Sequence, residues 1–109
     1  MLLDTAKNLM LDELANTVTH VALLDDTDTE ISGGGYERQT VTWNSASDGE
    51  LTASNEPTFD VEGGTTVSKV AFFDALTDGT QYAVNDVTDE TYGGDGTYTV
   101  TSISIDLNA

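Results

Sequence analysis

The run Val67-Ser68-Lys69-Val70-Ala71-Phe72-Phe73 is the most apolar stretch of the chain, and its valines and paired phenylalanines favour a strand. It predicts the central strand of a sheet, over 66–75. Turn chemistry brackets it, with Gly63-Gly64 before and Asp78-Gly79 after. Working outward, further strands are predicted at 18–24, 37–43, 50–54, 58–62, 80–85 and 97–107. They are separated by Gly33-Gly34-Gly35, Ser47-Asp48-Gly49, Asn55-Glu56-Pro57 and Gly93-Gly94-Asp95-Gly96. Eighteen threonines support this reading, because branching at Cβ suits a pleated surface. Short strands joined by glycine turns predict a mainly β fold, a small antiparallel β-sandwich, rather than a parallel α/β sheet. In the last segment Tyr98 and Val100 share one parity and Ile103, Ile105 and Leu107 the other. A bulge near Thr101-Ser102, or a strand passing to a second layer, would produce that switch.

Ahead of the strands, Leu3, Ala6, Met10 and Leu14 recur at helical spacing with Leu11 beside them, while Thr5, Asn8 and Asp12 mark the opposite face. One short amphipathic α-helix is predicted over 3–15, with Asp4 at the N-cap and Asn16-Thr17 at its end. A helix this short is marginal alone, so its apolar face must pack on the sheet or on a neighbouring subunit. Leu3, Ala6, Met10 and Leu14 are therefore the candidate interface residues. A chain of 109 residues accommodates one core, so a single domain is expected over 1–109.

The chain sets 20 Asp and Glu against 3 Lys and Arg, a formal net charge of -17. Such an excess repels phosphate backbones and anionic headgroups, so nucleic-acid binding is not expected in ordinary buffer. No apolar run is long enough for a signal peptide or a membrane span, and membrane insertion is not expected. Cysteine is absent and His20 is the single histidine, which removes disulfides, thiolate chemistry and histidine-based zinc clusters. No nucleophile elbow, P-loop or dinucleotide fingerprint occurs, and no enzymatic activity or cofactor is expected. His20 reads as a packing or surface residue. Among 20 carboxylates some pair always falls at a catalytic separation, so pairing alone says nothing.

The densest acidic cluster is Asp25-Asp26-Thr27-Asp28-Thr29-Glu30, where Asp25, Asp26 and Asp28 are candidate calcium ligands. Counting from Asp26, Glu37 takes the twelfth place of an EF-hand loop. The sixth is Ile31, where that loop's sharp turn requires glycine, and the segment also reads as a solvated connection between strands. Asp86, Asp89 and Glu90, beside a predicted turn, are read the same way. The aromatic residues are expected in core or edge packing, with Tyr36 after three glycines placed to be exposed.

Charge also speaks to solvent. Self-repulsion at -17 destabilises a small fold in dilute buffer, whereas at molar salt the screening length falls to about 3 Å. Aspartate outnumbers glutamate 13 to 7 and lysine is nearly absent, the composition of proteins from salt-accumulating haloarchaea and their viruses. An ordinary acidic β-domain that binds a basic partner or calcium is the competing reading.

Three stretches resemble a family of small tailed-phage virion proteins described as tail fibre or minor tail proteins. They are 30–43, with Gly33-Gly34-Gly35-Tyr36-Glu37-Arg38 leading to Trp43; 54–74, with Asn55-Glu56-Pro57-Thr58-Phe59 running on to Phe73-Asp74; and 92–100, with Tyr92-Gly93-Gly94-Asp95-Gly96. Ala6-Lys7-Asn8 and the strand Thr19-His20-Val21-Ala22-Leu23 extend the likeness over nearly the whole chain. Where the family often carries a His-Thr-Gly-Asp-Pro stretch, this chain has Leu24-Asp25-Asp26-Thr27-Asp28, so no partner of that loop is carried over. The resemblance implies a non-enzymatic structural subunit of a virion; with the acidic composition, the expectation is a tailed virus of a haloarchaeon, the protein being made in the host cytoplasm at high salt. A symmetric homo-oligomer would cover the helix face or an open strand edge, so the expected partners are further copies of itself, other virion proteins and a host surface receptor. Tail fibre or tail tip is the first placement, capsid decoration or turret the second. A calcium- or carbohydrate-binding surface module is the alternative outside the virion.

Overall fold

The computed structural model describes residues 1–107. The helix α1 (Asp4–Thr17) leads into eight strands: β1 (His20–Leu24), β2 (Gln39–Thr40), β3 (Glu50–Thr52), β4 (Thr58–Val61), β5 (Thr66–Phe73), β6 (Gln81–Thr91), β7 (Gly96–Thr99) and β8 (Ser104–Asp106). The apolar run is β5, and it is interior as predicted: one sheet has the order β2-β1-β5-β6, every pair antiparallel. Two ribbons, β3-β8 and β4-β7, make up the rest of the β structure. Val21 and Leu23 of β1 with Val67, Val70 and Phe72 of β5 share a core with Phe59 and Val61 of β4 and with Val100 and Ile103. That is the two-layer, antiparallel, β-rich fold with one short N-terminal helix expected above.

The period-2 alternation of β1 and β5 sends the other parity to the back of the sheet. There Ala22, Leu24, Ala71 and Phe73 form a second, smaller apolar cluster, also buried. Burial on both faces explains why β5 reads as a nearly continuous apolar run. A register shift between Val67 and Lys69 leaves Ser68 buried, its Oγ without a hydrogen-bond partner.

Several boundaries differ from the sequence reading. Leu3, not Asp4, is the N-cap, and it makes no side-chain cap bond; Asp4 sits in the first turn, where its charge complements the helix dipole. β2 is only two residues long, because Glu37 and Arg38 lie outside the ladder and Trp43 forms an isolated bridge with Ala53. β6 runs to Thr91, so Asp86, Asp89 and Glu90 belong to a strand rather than a turn. The 97–107 segment divides in two at Ser102, whose φ of 55° turns the chain from pairing with β4 to pairing with β3. No helix among the described residues is long and apolar enough to cross a membrane.

Candidate interaction surfaces

The polar centre of the molecule is built on the back of the β-sheet around Arg38, which is buried although it is one of only three Lys and Arg. Its Nε donates to Glu30 Oε2 at 3.0 Å and its Nη2 to Glu30 Oε1 at 2.9 Å, a two-point clasp. Nη1 donates to the carbonyls of Ala75 at 3.0 Å and Asp78 at 2.8 Å, and the guanidinium carbon lies 3.7 Å from the centre of the Phe73 ring. Arg38 thereby roofs the second apolar cluster and holds the loop after β5 against it.

Tyr36 completes the network. Its hydroxyl donates to Glu30 Oε2 at 2.7 Å and accepts the Leu23 N–H at 3.0 Å, while its ring stacks on Phe59 with centroids 6.0 Å apart. The expectation that it is exposed is corrected: the glycines fold it inward, and burial pushes its phenol well above the ordinary tyrosine range. Burial also raises the Glu30 carboxyl, but hydrogen bonds from Arg38 and Tyr36 and the charge of Arg38 outweigh it. The result lies below the ordinary carboxylate value. The sequence reading passed over Arg38. Its signal was scarcity, a lone arginine in an acidic chain eight residues from Glu30 across a glycine turn.

That turn belongs to a larger assembly of glycines. Gly33, Gly34 and Gly35 all have positive φ, at 84°, 64° and 86°. A Cβ on Gly34 would stand 2.8 Å from Glu62 Cβ and 2.9 Å from its Cα, so the turn lies directly against the end of β4. A Cβ on Gly63 would meet the Gly94 backbone at 2.8 Å, and the Gly63 N–H donates to Asp95 Oδ1 at 2.9 Å. The glycine turns at 33–35, 63–64 and 93–96 thus converge on the segment that follows β4.

Of the candidate calcium ligands, Asp25 and Asp26 border the Gly63-Gly64 turn, and the three are not gathered around a common point. Asp25 Oδ1 accepts the N–H groups of Thr27 at 2.8 Å and Thr29 at 3.0 Å and the Thr27 hydroxyl at 2.7 Å. The Thr27 hydroxyl, with the two backbone donors, holds its carboxyl below the usual range. Asp28, at a φ of 64°, pairs with Lys69 on β5, and Asp26 is exposed. Among the described residues no group of three or more His, Asp or Glu side chains is arranged to hold a metal ion. His20 is on β1, its Nδ1 2.8 Å from Thr19 Oγ1.

The candidate interface residues divide. Leu14 packs against the main core, and Leu11 is the one fully buried residue of α1. Asn8 and Asp12, assigned by the sequence to the outer face, instead tie the helix to the turn before β3: Asn8 Oδ1 accepts the Gly49 N–H at 2.9 Å and Asp12 Oδ1 the Ala46 N–H at 2.8 Å. Polar side chains here share the contacts to the sheet layer with Leu11 and Leu14. Leu3 and Met10 are exposed, with Met1, Leu2 and Leu9, and Ala6 lies among them half-buried.

Residues 25–108 match the family model described as Podophage GP4 fiber I protein gp80, more than three quarters of the chain. The chain belongs to this fibre family. It is a structural virion protein of the phage tail-fibre type and carries no catalytic motif. No curated protein and no solved structure matches it. The gp80 match takes in the whole Glu30–Tyr36–Arg38 network, the glycine turns and strands β2 to β8, and begins one residue after β1.

Proposed function

We propose that this chain is a tail-fibre subunit of a virus that infects a haloarchaeon, assembled as a symmetric homo-oligomer with other virion proteins and serving in assembly or host attachment. Membership of the gp80 fibre family supports the fibre role. The placement of the acidic residues carries the haloarchaeal part: among the described residues none of the 20 is buried, and they are spread over the helix, the loops and the open strand β6. A surface covered in one sign of charge keeps a fold dispersed in brine and strains it in dilute buffer.

Immunogold labelling of intact particles in molar salt tests the placement. Gold at the tail fibres is the expected result; gold confined to the capsid shell would replace it with the decoration reading.

A further inference from the structure

We infer that the outer face of α1 is a self-association surface whose occupant is the same face of a second copy of this chain. The inference deepens the homo-oligomer reading above and rests on it. Met1, Leu2, Leu3, Leu9 and Met10 are each at least half exposed, which puts five of the nine exposed large hydrophobics among the described residues within the first ten positions. Leu2 and Leu3, just ahead of the helix, line a shallow groove with Ala6 and Leu9, Met10 follows on the far side of Ala6 by helical spacing, and the small side chain of Ala6 lets a second helix approach closely.

Area and charge both select a second copy. The five side chains expose on the order of 600 Å², at the upper end of the patches found on monomers. Two such faces, if buried completely, would together reach the lower bound, about 1,200 Å², of specific protein interfaces. Residues 1–11 hold one acid, Asp4, and one base, Lys7, so the whole formal charge of -17 lies beyond Leu11. In a molecule that repels its own copies nearly everywhere else, this end offers a mainly apolar contact, and Asp12 at its border is engaged by the Ala46 N–H. The remaining repulsion acts at longer range and is screened by salt, so association strengthens as salt rises.

Sedimentation velocity of the full chain in molar KCl tests this, with near-UV circular dichroism confirming the fold of every sample. The wild type is expected to self-associate, and the pair Leu9→Asp with Met10→Asp to weaken association about 100-fold or more. Val84→Lys, on the exposed edge strand β6, is expected to leave it unchanged. A folded wild type that stays monomeric, an unaffected double variant, dissociation by Val84→Lys alone, or association that strengthens as salt is lowered across the folded range would each overturn the inference. A folded wild type that stays monomeric removes the homo-oligomer reading as well, whereas a double variant that associates as the wild type does leaves that reading intact and overturns only the assignment to α1, so the two failures are distinguishable.

Discussion

Arg38 and Glu30 meet across the glycine turn, and Tyr36 fixes the carboxylate from a third direction. Tyr36→Phe keeps the stack on Phe59 but deletes a donor to Glu30 and the acceptor for the Leu23 N–H. A loss of about 1–3 kcal/mol is expected in denaturant unfolding at molar KCl. Glu30→Gln separates the charge from the shape. Because the folded-state pKa of Glu30 is depressed, its stabilisation is fully present above the ordinary carboxylate range and fades as pH falls through the folded value. The stability gap between wild type and Glu30→Gln should therefore be constant above about pH 5 and narrow below it. Taking the difference cancels the general relief of repulsion near the pI; a gap that ignores pH would refute the assignment. This network left no periodicity in the chain, since hydrogen-bond geometry across a turn sets none, and the scarcity of arginine was its one trace.

At the scale of elements the glycine turns make two kinds of demand, conformational and spatial. Gly64 has a φ of 88° with nothing within 4 Å of an added Cβ, whereas Gly34 has a φ of 64° and Glu62 backbone within 2.9 Å. Gly64→Ala should cost about 1–2 kcal/mol from left-handed strain alone. Gly34→Ala should cost more, because the turn must also move away from β4, and thermal unfolding of the two variants side by side checks the order. The turns themselves were legible, as were β1, β4 and β5, where alternation and branched residues agree with the fold. The extension of β6 through Asp86, Asp89 and Glu90 was not. Charged residues on an edge strand face solvent, discourage edge-to-edge pairing, and so mimic a loop in composition. The helix face was only partly legible for a related reason: Asn8 and Asp12, polar and not fully buried, still bind the turn before β3 because that turn offers them its Gly49 and Ala46 N–H groups.

For the whole molecule, charge and family membership address different questions. The gp80 match assigns the virion role, and the surface carboxylates bear on the medium in which the fold is stable. If brine is that medium, relief of about 2 kcal/mol of repulsion between dilute buffer and molar KCl should raise the melting temperature by about 10 °C. A calorimetric scan that shows no change, in the absence of divalent cations, would point to an ordinary acidic domain. The molecule is elongated, 46 × 24 × 22 Å, and α1 passes through Val18 and Thr19 into β1, which is hydrogen-bonded to β2 on one side and β5 on the other. If α1 anchors the subunit as proposed, this continuity has a mechanical meaning. Tension entering through the helix and running along β1 would load the ladders on both its edges in shear, the direction in which their bonds must break together rather than one after another.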